Sequence, residues 1–247
     1  MKNNLIIIPS RMQSRRLPGK PLLDIEGIPM VIRVAKQAIK SNVGEVCIAC
    51  CDEEIYKTAQ NYGINVIKTS PKHKSGSDRI YEALKNFDSS NKIETIINLQ
   101  GDMPTISSSI IKSLVKLKES IPSDIFTLAN EINNEDDKVD NDIVKVVISR
   151  NKNLKYGRAL YFSRSLIPFG KGPVYHHIGI YAYSRNSLEK FINLRPSYLE
   201  KRESLEQLRA LEANMDIKVG IVRDNPIGVD NLADFNKACD YIRKNKI

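Results

Sequence analysis

Residues 6–22 read IIIPSRMQSRRLPGKPL. Three consecutive isoleucines open the stretch, and Arg11, Arg15, Arg16 and Lys20 follow within a loop punctuated by Pro18, Gly19 and Pro21. A buried strand cannot hold four cations, so the charges must collect where the strand ends. In open α/β sheets the carboxyl edge of the strands is where ligands bind. Four positive groups at such an edge call for a polyanion, and a nucleoside triphosphate is the simplest one.

Outward from this stretch, short apolar runs alternate with helical periodicity. Strands are expected at 5–8, 46–50, 65–68 and 95–99, and helices at 28–39, 53–62, 77–87 and 107–119. Gly63 marks a helix stop, and Ser77 is placed to cap the third helix, with Asp78 in its first turn. Strand–helix alternation is the signature of a parallel sheet with crossover helices. After about residue 123 the strands crowd together, at 125–131, 143–149, 160–163 and 178–183. The intervening NNEDDKVDND reads as a solvated loop. Helices follow at 185–194 and 203–214, then a strand at 217–222. In the last helix Leu232, Phe235, Ala238 and Ile242 recur at spacings of three and four. One α/β unit with an inserted or appended antiparallel portion fits this order, and the chain is read as one domain over 1–247.

The excess of Lys and Arg over Asp and Glu leaves a net charge of +9, which suits nucleic acid, an anionic membrane surface or a phosphorylated small molecule equally. The basic loop has no interleaved aromatic residues, which argues against single-stranded nucleic acid. The start MKNNLIIIPS lacks a secretory apolar core. No stretch approaches the ~20 apolar residues that span a bilayer. No nucleic-acid or membrane partner is therefore expected, and the cytoplasm is the default location. Cys47 and Cys50 form a C-x-x-C, but in a strand they face opposite sides, so core thiols are expected rather than a chelate. Neither a Walker A sequence nor G-x-G-x-x-G occurs.

Two further stretches carry chemistry. INLQGDMP at 97–104 ends an apolar strand in Gln-Gly-Asp, which leaves the Asp102 carboxylate at the edge from which the basic loop emerges. A carboxylate beside a triphosphate is repelled unless a cation lies between, and magnesium takes one or two carboxylates plus phosphate oxygens. A strand-end Asp capping the next turn is the competing reading. Asp230 in IGVDNLADF is a second carboxylate candidate, although its place before the last helix reads first as an N-cap. KHKSGSDR at 72–79 puts a Gly, two serines and three cations before a helix N-terminus, where backbone N–H groups suit an anion or a base edge. His176 and His177 are adjacent on a strand and point to opposite faces. Glu203, Glu206 and Gln207 fall within one helical turn, usually a solvated face, though Gln207 beside Glu206 also suits sugar hydroxyls.

PSRMQSRRLPGKPL, KSGSDR, INLQGDMP, KVVIS, ALYFSRSLIPF, HIGIYAY, LEQLR and GVDNLADF occur in one order across nearly the whole chain. In these the sequence resembles the 3-deoxy-manno-octulosonate cytidylyltransferases, the CMP-Kdo synthetases of bacterial lipopolysaccharide synthesis. The resemblance implies a nucleotide-diphospho-sugar transferase-like α/β sandwich with a central, mostly parallel sheet and a smaller lobe for homodimerisation. It implies transfer of CMP from CTP to Kdo with release of pyrophosphate and Mg²⁺ as cofactor. By position, Arg11, Arg16 and Lys20 match the triphosphate loop, and Ser75 and Gly76 match the loop near the cytosine. Gln100 matches a sugar contact, and Asp102 and Asp230 match the metal carboxylates. Arg164, His177, Tyr181, Glu206 and Gln207 match positions lining the sugar pocket. Asp102, Lys20, Arg11 and Arg16 are the groups the reaction would depend on. Where the family reads Q-G-D-E-P, this chain has Met103; Lys201 stands where many members have His, and Phe169 where Trp is frequent. A related acidic sugar, 8-amino-Kdo or a neuraminate-like acid, is the alternative substrate. An RNA-binding protein drawing on the +9 charge and a non-catalytic homologue are rivals of other classes.

Overall fold

The computed structural model describes residues 3–14, 16–73, 75–151 and 153–245; Arg15 and Lys74 lie outside the described residues. The chain divides into two compact units, one of residues 1–112 with 226–247 and the other of residues 113–225.

The first unit is built on four parallel strands. β1 (Asn4–Ser10) is followed by a 3₁₀ turn at Lys20–Leu22 and a two-residue hairpin, β2 (Asp24–Ile25) and β3 (Ile28–Pro29). Then come α1 (Met30–Ser41), β4 (Glu45–Cys50), α2 (Glu53–Asn61), β5 (Asn65–Lys68), α3 (Gly76–Phe87), β6 (Thr95–Leu99) and α4 (Ser108–Ser120), within which the division falls. The strands lie in the order β5-β4-β1-β6. Leu5 to Ile8 are essentially inaccessible, as a strand covered on both faces must be, which is why β1 reads as a continuous apolar run. Cys47 and Cys50 are free core thiols, and burial pushes both up to about 12. The helix Leu232–Asn245 returns to this unit, where Ala238 and Ile242 pack with Ile25, Met30 and Val229.

Three local expectations change here. The helix expected from residue 28 begins at Met30, because Pro29 takes the N-cap position and Ile28 pairs with Ile25 in the hairpin. Ile39, which the sequence places on the helix's apolar face with Met30, Val31, Val34 and Ala38, is 51% exposed. The third helix is capped by Ser75, whose hydroxyl accepts from the Asp78 N–H at 3.1 Å, and Ser77 is buried inside its first turn.

The second unit is largely antiparallel. β7 (Ile125–Glu131), β8 (Lys145–Ser149), β9 (Tyr156–Ser163), β10 (Tyr175–Ser184) and β11 (Ile217–Val222) lie in the order β10-β7-β11-β9-β8. The start of β8 pairs back onto the start of β10, so the five strands curl. Gly220 permits close packing on β11, since a Cβ there would lie 2.9 Å from Leu128 and 3.1 Å from Leu117 of α4. The acidic run expected to be a loop contains α5 (Glu135–Val139), capped by Asn134 with three acids in its first turn. α6 (Arg185–Ile192) packs on β10. The helix expected at 203–214 is two short ones, α7 (Tyr198–Glu203) and α8 (Leu208–Glu212), broken where Ser204 adopts φ 56°.

Candidate functional site

In the first unit, the strands' carboxyl ends open on a cavity of about 810 Å³. Arg11, Arg16 and Lys20 line it from the loop after β1, Ser75 and Gly76 from the start of α3, and Gln100, Asp102 and Asp230 from the remaining edge. All eight residues of this unit singled out from the sequence therefore meet around one space. Backbone geometry explains how. Gly19 at φ 69° turns the chain into the Lys20–Leu22 turn. A Cβ on Gly101 would come within 3.3 Å of Ile8 and 3.4 Å of the Pro9 carbonyl, a tight fit that glycine relieves where the ends of β6 and β1 approach. The returning segment is tied to the β6 turn by the Val229 N–H donating to Asp102 O at 2.8 Å and the Ile227 N–H to Thr105 Oγ1 at 2.7 Å.

The charges interlock. Lys20 Nζ donates to Asp102 Oδ2 at 2.7 Å and to Val229 O at 2.8 Å, and lies 3.5 Å from Asp230 Oδ1. Arg16 Nη2 is 2.9 Å from the same Asp230 oxygen. Asp230 is not the helix cap: Asn231 Oδ1 accepts the Asp234 N–H at 2.9 Å, which leaves the Asp230 carboxylate to the cations. Among the described residues no group of three or more His, Cys, Asp or Glu is arranged to hold a metal. Two carboxylates reaching one cationic centre nevertheless fit magnesium, which takes few protein carboxylates and completes its shell with phosphate oxygens and water. Met103 is 5% exposed and belongs to the core, so the side chain following Asp102 does not line this cavity.

Pro9, Ser10, Gln13 and Ser14 also line the cavity without having been singled out from the sequence, as do His73 and Arg79 of the KHKSGSDR stretch, to which no role was given. Arg79 is 3% exposed and its Nη1 donates to Thr69 Oγ1 at 2.5 Å. Its spacing of three from Gly76 on α3, which puts both on one helix face, was the available signal. His73 pairs with Glu82.

In the second unit, His177 is buried, with Phe162 edge-on at 4.9 Å and Tyr181 tilted at 5.4 Å between ring centroids. A register shift between Ile178 and Tyr181 sets Tyr181 opposite Thr127. Thr127 Oγ1 donates its one hydrogen to Ile180 O at 2.8 Å, so His177 Nε2, 2.9 Å away, is the donor to that hydroxyl. Burial, with His176 adding to it, takes the His177 imidazole down to about 3, so it is neutral. Burial, with the Glu206 carboxylate adding to it, pushes the Tyr181 hydroxyl up. Glu206 lies 3.5 Å from Arg209, and Gln207 is 7% exposed, so these two are not on a solvated helical face. His176, on the other strand face, bonds Asn225 at 3.0 Å. Arg164 is anchored separately, by Glu203 and Asn141.

The neutral state of His177 has a measurable consequence. Between pH 6.5 and about 3 the unfolded imidazole binds a proton that the folded one refuses. Stability is therefore full above about pH 6.5 and falls with pH by up to ~1.4 kcal/mol per unit. Urea midpoints at pH 7.5 and 5.0 should diverge more for the wild type than for His177→Asn. Equal divergence would mean that His177 titrates normally.

A parallel sheet that gathers cations and carboxylates around a cavity at its carboxyl edge defines a nucleotidyltransferase-like fold. Residues 5–217 match the family model described as cytidylyltransferase. Proteins named 3-deoxy-manno-octulosonate cytidylyltransferase from Rhizobium etli and Brucella canis are each 50% identical over 234 residues, 95% of this chain and 93% of theirs. A solved structure of CMP:2-keto-3-deoxy-manno-octonic acid synthetase complexed with CTP superposes with TM-score 0.88 at 35% identity, covering 98% of this chain and 99% of that one. A cytidylyltransferase structure from Leptospira borgpetersenii, at TM-score 0.61 and 16% identity over all of this chain and 96% of its own, shares the fold. The chain belongs to the 3-deoxy-manno-octulosonate cytidylyltransferase family.

Proposed function

We propose that the protein activates Kdo with CTP, giving CMP-Kdo and pyrophosphate for lipopolysaccharide synthesis. The observation that carries this reading is the convergence of Arg11, Arg16 and Lys20 with Asp102 and Asp230 on one cavity, in a chain half identical to enzymes of that name. The anomeric hydroxyl of the sugar attacks the α-phosphorus of CTP in line, and the bond to pyrophosphate breaks. Such a reaction needs positioning and charge stabilisation more than covalent help from the protein. Arg11 and Arg16 offer planar, paired donors to phosphate oxygens, while Lys20 acts as a point charge that also balances the two carboxylates. Ser75 and Gly76, at the N-terminus of α3, face the cytosine. Asp102 and Asp230 would hold magnesium, which when bound supplies positive charge against the phosphate oxygens.

In the second unit His177, Tyr181, Glu206 and Gln207 contact the sugar, and Arg164 holds its carboxylate. A neutral His177 supports this division: it offers hydrogen bonds to hydroxyls and leaves the charge to the guanidinium. The working form is a homodimer in the cytoplasm. The fully exposed Phe169, with Leu160, Leu166 and Tyr198 also exposed in the second unit, supports self-association. Among the described residues no helix is long and apolar enough to cross a membrane.

Pyrophosphate release with CTP, Mg²⁺ and Kdo, with each component omitted or exchanged in turn, tests the proposal. Turnover is expected only with all three. Preferential turnover of 8-amino-Kdo or a neuraminate would replace the sugar assignment. Salt-sensitive RNA binding without turnover would replace the function.

A further inference from the structure

Lys145, at the start of β8, is 0% exposed, and its ammonium spends its three hydrogens on main-chain carbonyls: Asp140 O and Ile143 O at 2.7 Å each, and Arg164 O at 2.5 Å. A buried ammonium is costly, and an apolar side chain would fill the same space more cheaply. What the lysine adds is a tie between the 140–143 loop and the residue at the end of β9. Burial lowers its pKa, and the nearby Asp140 carboxylate only partly opposes this.

Glu203, the last residue of α7, grips the same place from the other side. Its Oε2 accepts the Arg164 N–H at 3.1 Å, and its Oε1 accepts from Ser163 at 2.9 Å and Tyr161 at 3.4 Å. The two anchors of the Arg164 side chain belong to these ties. Nε donates to Glu203 O at 3.2 Å, and Nη1 to Asn141 O at 3.0 Å in the loop that Lys145 holds. A guanidinium on a long stem is thus fixed at its main-chain N–H, its carbonyl, Nε and one Nη before any ligand arrives. Ordering such a side chain in advance removes a cost that binding would otherwise meet.

We propose that Lys145 and Glu203 are positioning residues that pre-orient Arg164 for the carboxylate of the sugar acid. The inference rests on the carboxylate-binding role proposed above for Arg164.

The test uses full-length protein and four variants: Arg164→Ala, Glu203→Gln, Lys145→Met and Arg164→Ala/Glu203→Gln. Glu203→Gln keeps the side chain's shape and carries the test if Lys145→Met does not fold. We expect Glu203→Gln and Lys145→Met to raise KM for Kdo about 10- to 100-fold with KM for CTP within twofold. We also expect Glu203→Gln to add nothing in the Arg164→Ala background. An unchanged Kdo KM in Glu203→Gln, equal rises for both substrates, or full additivity in the double variant overturns the positioning role while Arg164 keeps its own. A normal Kdo KM in Arg164→Ala overturns the role of Arg164, and the inference with it.

Discussion

Asp102→Asn is expected to abolish cytidylyl transfer, lowering kcat/KM for CTP by about 10³-fold or more, or roughly 4 kcal/mol of transition-state stabilisation. The substitution removes one charge and little else. The bond from the Val229 N–H ends on the main-chain oxygen of residue 102 and survives, so the returning segment keeps its place. Lys20 retains Val229 O at 2.8 Å and its approach to Asp230. The thermal midpoint should therefore shift by only a few degrees. Pyrophosphate release measured across a magnesium titration separates the outcomes. Near-normal turnover at ordinary magnesium would remove Asp102 from the metal assignment.

Lys20→Ala should cost about 2–4 kcal/mol, roughly 30- to 10³-fold in kcat/KM for CTP, the range for loss of one preorganised charge donor. The ammonium has two tasks here. In the proposed reaction it would face the phosphates, and it separates two carboxylates that both approach it, at 2.7 and 3.5 Å. Without it Asp102 and Asp230 present uncompensated negative charge towards a polyanion, so ground-state CTP binding should weaken along with turnover. Arginine is not expected to restore activity, because a planar fork cannot occupy the place of a point charge with donors to both Asp102 and Val229 O. Unchanged kcat/KM for CTP in Lys20→Ala would contradict the assignment.

The first unit was readable because its signals are local. A continuous apolar run, a Pro/Gly-broken basic loop and a Gln-Gly-Asp strand end each carry their meaning within a dozen residues. Boundaries failed where two residues offered the same chemistry. Asp230 and Asn231 are both good caps, and only the fold decides that Asn231 takes the role and frees its neighbour for the cations. The spacing of Leu205, Leu208 and Leu211 matches one helix, and nothing in the sequence announces that Ser204 turns left-handed, since no glycine stands there. The short helix at Glu135–Val139 was legible, with Asn134 followed by three acids, but the polarity of the run masked it. The grip on Arg164 was beyond reach: Glu203 is 39 residues away in the chain, and such a partner has no local signature.

The first unit's two segments, 1–112 and 226–247, are separated by the whole of the second. A ribosome making this protein therefore adds Asp230, the second acidic group of the cavity, only after the whole of the second unit. Val229, Ala238 and Ile242, which pack with Ile25 and Met30 in one apolar cluster, arrive equally late. Nascent chains halted before that point carry the basic loop without its full set of counter-charges. Translation stalls or carboxy-terminal deletions should thus yield polypeptide that is abundant yet inert, however much of its sheet has already formed.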